Sequence, residues 1–316
     1  MNILAPINDI KDILDFDAEE LYLGFYDEEF NKLFGKYANL NRMTNFHQKA
    51  NKYSFNEVLG LITLAHENNK RIFITFNGEV YSDEMLLYIR KYFVILKDYE
   101  IDGVITADLG ITKLALEYNL KPVISTIAGI YNSDILNFYK ELGVKRVILP
   151  RDLTIDEISR IVSKHPDMEY EVFFMRNGCR FSDSHCLGLH ASNQKSLCAH
   201  LKDLPMSTSF FDYNFLDIHD FEVNNHIYNH YFHNYACGLC ALYIFLKLNI
   251  CSLKIVGRYE DRNSIKEEIN LIKENIIIAK NSNSNKEFLN HMMFPKFSYK
   301  SCKMGLGCYY PEIRFK

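Results

Sequence analysis

Eight short runs rich in β-branched and aromatic residues punctuate the chain: "NILA" (2–5), "ELYLG" (20–24), "RIFITFN" (71–77), "GVITA" (103–107), "PVIST" (122–126), "RVILP" (146–150), "YEVFFM" (170–175) and "SLKIV" (252–256). Each has the length of a buried strand, and the intervals between them carry apolar residues at helical spacing. The clearest of these intervals are "SFNEVLGLITLAHENN" (54–69), "DEMLLYIRKYFVILKDY" (83–99) and "SDILNFYKELG" (133–143). Strands that alternate with helices pair in parallel through right-handed crossovers. Eight such units predict an α/β protein with a closed (β/α)8 TIM-like barrel, whose chemistry gathers on the loops that follow the strands' C-terminal ends. An open doubly wound sheet is the alternative that the same order allows.

Two stretches break the alternation. Residues 25–53 read as a polar, aromatic connection, and residues 176–236 read as a long insertion without clear periodicity. A compact domain carries an insertion of that kind mainly when it is functional or stapled by a ligand. Beyond strand eight come one more helix (264–280), a polar "NSNSNK" turn (281–286) and an aromatic tail. The expected organisation is a barrel domain over 1–260, including a cysteine-rich insertion at 176–240 after strand seven, with a C-terminal helix and tail at 261–316 packed on the barrel.

With 48% hydrophobic residues in 316, the chain can bury a large core, and a formal net charge of −4 gives no basic field for wrapping nucleic acid. DNA is therefore not an expected partner. The opening "MNILAPINDIKDILDF" has acidic residues and no continuous apolar core, unlike a secretory signal. The longest apolar stretch, "CALYIFLKLNI", is interrupted by Lys247 and is too short to span a bilayer. A cytoplasmic protein without a membrane segment is expected.

All eight cysteines lie between positions 179 and 308. Cys179, Cys186 and Cys198 fall within twenty residues, and Cys237 and Cys240 follow in "NYACGLCALY". In a reducing compartment such thiols serve as ligands, redox groups or buried side chains rather than disulfides. Their clustering suits an iron–sulfur cluster, and four thiolates suit zinc equally. Cys251 directly precedes a buried strand and reads as a core thiol, while Cys302 and Cys308 in the tail match no metal spacing. His226, His230 and His233 stand at i, i+4 and i+7, with His219 upstream; on a helix the three share a face that can bind a divalent metal. No carboxylate at fixed spacing completes that set, so a polar helix face is the simpler reading. Arg151, Arg176, Arg180 and Arg258 sit at or just past strand ends, where their forks suit an anionic substrate and where ion pairing is the competing role. No His-Glu-x-x-His and no Gly-x-Ser-x-Gly occurs, which argues against a conventional protease.

Several segments in order, "ILAPINDIKDILDFDAEELYLGF", "RIFITFN", "DGVITADLG", "LGVKRVILPRDLTIDEI" and "SLKIVGR", together resemble peptidase family U32, the collagenase-like peptidases, over nearly the whole chain. The resemblance implies a [4Fe-4S] cluster on four cysteines, the first two separated by six residues, as Cys179 and Cys186 are. Cys198 is then the third ligand, and an ungapped count back from "KIVGR" puts the fourth on Cys237, with Cys240 as the alternative fourth ligand. It further implies a cluster-dependent enzyme supporting oxygen-independent hydroxylation or a related modification of a small molecule, a peptide or RNA. Peptidase activity, as the family name suggests, is one alternative. A non-catalytic cluster-bearing subunit paired with a homologous chain in a heterodimer is the other.

Overall fold

Each of the eight apolar runs forms a strand in the computed structural model, which describes residues 1–42, 50–179, 182–185, 236–295 and 307–313. They are β1 (Asn2–Pro6), β2 (Glu20–Leu23), β3 (Arg71–Phe76), β4 (Gly103–Thr106), β5 (Pro122–Ile124), β6 (Arg146–Ile148), β7 (Glu169–Met175) and β8 (Ser252–Ile255). Every strand pairs in parallel with its neighbours in chain order, and β8 returns to β1 with Ser252 opposite Asn2 and Lys254 opposite Leu4. That last pairing closes the sheet into a barrel and removes the doubly wound alternative.

Ten α-helices are described: α1 (Ile10–Asp15), α2 (Glu28–Phe34), α3 (Phe55–Glu67), α4 (Asp83–Asp98), α5 (Leu109–Glu117), α6 (Ser133–Glu141), α7 (Ile155–Lys164), α8 (Leu242–Lys247), α9 (Arg262–Asn281) and α10 (Asn285–His291). Local chemistry sets their starts. Ser54 and Thr154 each accept from the backbone three residues on, where Glu57 and Glu157 reach back, so α3 and α7 begin in capping boxes. Helix α3 then buries Val58, Leu61, Ile62 and Ala65 on one face against the barrel. No helix among the described residues is long and apolar enough to cross a membrane.

Two boundaries differ from the sequence reading. The 25–53 connection contains α2, which Asp27 starts by accepting from Phe30 N at 2.5 Å; its seven residues are too few for a helical period to stand out. The polar turn is shorter than 281–286, because α9 runs through Asn281 and Ser284 already caps α10.

The floor of the barrel, at the strands' N-terminal ends, is ionic. Arg146 donates through Nη1 and Nη2 to the two oxygens of Glu20 at 2.8 and 2.6 Å, and through Nη2 to Glu171 at 3.0 Å. Lys254 donates to the other Glu171 oxygen at 2.9 Å, and Ser252 donates to Glu20 at 2.7 Å. The Arg146 guanidinium lies over the Phe73 ring at 4.8 Å, and Lys254 lies over Tyr22 at 4.2 Å. Burial opposes ionisation of Glu20, but the Arg146 fork, Ser252 and Arg71 overcome it and hold the carboxyl below its usual range.

The described part of the C-terminal region is docked. Arg262 on α9 donates to Asp12 on α1 at 2.6 Å. In the tail, Tyr310 donates to Phe173 O at 3.2 Å, and Glu312 accepts from Ile155 N at 2.8 Å.

Candidate functional site

At the opposite end of the barrel, the chain leaves β8 through Gly257, whose φ of 129° only glycine adopts easily, and presents Arg258 to the mouth. The Arg258 side chain is buried. Its Nη1 donates to Asn51 Oδ1 at 2.5 Å and Thr75 Oγ1 at 3.2 Å, and its Nη2 donates to Arg42 O at 3.1 Å. All three acceptors are neutral, and none of the described partners is a carboxylate. Burial, with Arg42 close by, brings the guanidinium down to about 10 despite the opposing influence of Tyr22. Gly24, just past β2, makes this cradle possible: a Cβ there would collide with Asn51 Oδ1, Arg258 Nη1 and Thr75 Oγ1.

Two more of the arginines singled out in the sequence, Arg151 and Arg176, are already engaged. Arg151 grips Asp183 with Nε and Nη2, both at 2.8 Å, donates Nη1 to Asn177 O, and covers the Phe173 ring at 4.4 Å. Arg42 approaches the same Asp183 carboxylate at 3.9 Å. Burial works against the Asp183 charge, and Arg151 overrides it, so the carboxyl stays below its usual range. Arg176 leaves β7 with a φ of 64° and pairs with Glu268 at 2.7 Å and Glu260 at 3.0 Å. Both are thus ion-pair partners in this structure rather than open anion receptors. Arg180 lies outside the described residues.

Glu268 differs from the floor carboxylates. Its Oε1 accepts from Arg176, but its buried Oε2 has no donor among the described residues. Burial pushes this carboxyl up to about 7 against the pull of Arg176.

The described thiols divide between the two ends of the barrel. Cys237 forms an antiparallel bridge with Met175, the last residue of β7, flanked by Arg176 N to Ala236 O at 2.7 Å and Gly238 N to Phe174 O at 2.8 Å. Cys179 follows Met175 by four residues, close enough to Arg151 and Tyr309 for its charge to act on both. Cys240 is buried in the 3-10 turn Leu239–Ala241. Cys251 sits at the floor, where Sγ donates to Tyr170 O at 3.0 Å. Cys186, Cys198, Cys302, His219, His226, His230 and His233 lie outside the described residues.

The sequence pattern of peptidase family U32 matches residues 7–301. The chain belongs to that family. It is 29% identical over 205 residues to an uncharacterized protease of Methanocaldococcus jannaschii, covering 61% of this chain and 46% of the relative. It is 30% identical over 125 residues to tRNA hydroxylation protein P of Haemophilus influenzae, covering 39% of this chain and 27% of that one. Against the 23S rRNA 5-hydroxycytidine C2501 synthase of Escherichia coli it is 26% identical over 222 residues, covering 67% of this chain and 32% of the synthase. The chain therefore spans less than half the length of each of these curated relatives.

Among the described residues no three potential metal ligands come together, but the thiols near the end of β7, Cys179 and Cys237, are donors of the type that an iron–sulfur cluster takes. These two thiols issue from separate segments at that strand end. Arg151 stands near Cys179, with charge of the sign that offsets a thiolate. Reasoning from sequence missed Arg42, Asn51, Thr75 and Asp183, which build the mouth, and the place of Cys308 beside Cys237. One signal was available: the glycine of "ELYLG" ends a strand, where a backbone position kept clear of a side chain marks a close approach.

Proposed function

We propose that this U32 protein supports oxygen-independent hydroxylation of an anion-bearing substrate, with a [4Fe-4S] cluster held by Cys179, Cys186, Cys198 and Cys237 beside the Arg258 cradle. The observation that carries the reading is a buried arginine at the barrel mouth whose described partners are all neutral, just past β8, the neighbour of β7. Among the described residues no carboxylate pairs with it, so a carboxylate or phosphate from outside is the partner that suits it. A guanidinium has five N–H donors, and three are used on Asn51, Thr75 and Arg42, which fix the plane of the fork. Two donors have no partner among the described residues and can orient a substrate anion. Asp183 keeps Arg151 occupied, so the substrate charge is directed to Arg258. A bound cluster of this type supplies electron transfer. The relatives named for tRNA and rRNA hydroxylation support the reaction class and make RNA the first substrate to examine.

The test combines iron analysis with complementation. Protein purified without oxygen should hold about four irons per chain. A deletion strain grown without oxygen should lack one oxygen atom on an RNA nucleoside or a metabolite by mass spectrometry, and the wild-type gene should restore it. Arg258→Ala should retain the iron and its spectrum yet fail to restore the modification. Restoration by Arg258→Ala would remove the cradle from the site, and wild-type protein without iron would end the cluster assignment.

A further inference from the structure

The tail brings a second thiol to the backbone of Cys237. Cys237 N donates to Gly307 O at 2.9 Å and Tyr309 N donates to Cys237 O at 3.0 Å, which makes Cys237 and Cys308 partners in a parallel bridge. Partners on adjacent parallel strands stand on the same face with α-carbons about 4.8 Å apart. That separation lies within the range over which two thiols reach each other or a shared atom. Cys237 is buried and Cys308 is half-buried.

The tail is held on both sides of Cys308. Gly307 turns into the bridge with a φ of 67°. After Cys308, Tyr309 donates to Arg176 O and Tyr310 donates to Phe173 O at 3.2 Å, with both rings buried. Gly238 allows this packing, since a Cβ there would stand 3.0 Å from the rings of both Phe174 and Tyr310. Two buried tyrosines and a glycine next to Cys237 thus fix the height of Cys308 along the mouth.

We propose that Cys308 is a ligand-competent thiol of the metal site, able to take the iron that Cys237 holds. The inference rests on the cluster reading above. It moves the reserve ligand from Cys240, one turn further along the chain, to a tail residue some seventy positions away that the bridge places directly alongside. The tail is then part of the metal site.

The experiment compares wild type, Cys308→Ser, Cys237→Ser, and the double variants Cys237→Ser/Cys308→Ser and Cys237→Ser/Cys240→Ser, all purified without oxygen and checked for folding by circular dichroism. Iron per chain and the electron paramagnetic resonance spectrum of the reduced protein are read. Cys237→Ser should keep at least about half of the wild-type iron with a shifted spectrum, and so should its combination with Cys240→Ser. Cys237→Ser/Cys308→Ser should fall to about a tenth or less. Folded Cys237→Ser with no iron, or the Cys308 double variant with as much iron as Cys237→Ser, overturns the proposal. Wild type without iron defeats the cluster reading and this inference together, which separates that failure from the others.

A second measurement needs no variant. In iron-free wild type exposed to hydrogen peroxide, the two thiols should lose two protons and two electrons to the peroxide, which becomes two waters, and form a Cys237–Cys308 disulfide in a non-reduced peptide map. Absence of that cross-link would show that the thiols do not meet, and would overturn the proposal.

Discussion

At the floor of the barrel two buried carboxylates, Glu20 and Glu171, face two buried cations, Arg146 and Lys254, and all four carboxylate oxygens accept hydrogen bonds. At the mouth, Arg258 is as deeply buried yet is held only by an amide, a hydroxyl and a peptide carbonyl. The same fold therefore compensates buried charge at the floor, and at the mouth it pairs Arg151 and Arg176 with carboxylates but gives Arg258 none among the described residues. A balanced buried network is a structural device, since each member is lost only at the expense of its partners. An unbalanced cation costs stability in the empty protein and is recovered when an anion binds, which is how a binding site differs from a strut.

The largest effect should come from unbalancing the floor. Arg146→Met leaves Glu20 without its bidentate partner and Glu171 with Lys254 alone, and should lower unfolding free energy by about 3–5 kcal/mol in urea titrations. Adding Glu20→Gln should recover part of the loss. Arg258→Met should cost about 1–2 kcal/mol, because it unpairs only neutral acceptors. A larger loss from Arg258→Met than from Arg146→Met would mean that the mouth arginine is the strut.

This asymmetry was only partly legible in the amino-acid sequence. The strands were readable because parallel strands buried on both faces are continuous apolar runs, and all eight runs are strands. The floor network was not, because Glu20 and Arg146 look like polar flanks of "ELYLG" and "RVILP", 126 positions apart, and meet only when the barrel closes. Arg258 could be placed at a strand end, but its cradle comes from β3 and from two points in the 25–53 connection. Arg151 and Arg176 were equally visible as cations. What the sequence could not show was that Asp183 and Glu268 would occupy them, since those carboxylates arrive on separate segments.

A smaller effect should separate the carboxylates at the two ends. Glu20 has donors on both oxygens and sits below its usual range, whereas Glu268 has a buried oxygen without a donor among the described residues and is pushed up to about 7 by burial. Between the usual carboxyl range and that value, folded Glu268 keeps a proton that the unfolded chain has released. Stability must then fall as pH rises through this window. Glu268→Gln cannot release that proton. Wild type should accordingly lose on the order of 1–3 kcal/mol relative to Glu268→Gln between pH 5 and pH 8.5 in urea unfolding. A gap that moves the other way would show that Arg176 satisfies Glu268 as fully as Arg146 satisfies Glu20.

The smallest effect is expected at the thiol of the floor. Cys251 donates to Tyr170 O, and burial pushes its thiol up to about 12 even with Arg146 near. Thiolate is the reactive form, so at pH 8 Cys251 should be alkylated by iodoacetamide at least about a hundredfold more slowly in folded protein than in urea. Peptide mass spectrometry after timed quenching reads this directly. Cys251→Ser keeps a donor toward the same carbonyl and should change stability by less than about 1 kcal/mol, with iron content unchanged. Rapid labelling of Cys251 in the folded state, or loss of iron in Cys251→Ser, would place a working thiol at the floor and break the division between the balanced floor and the mouth.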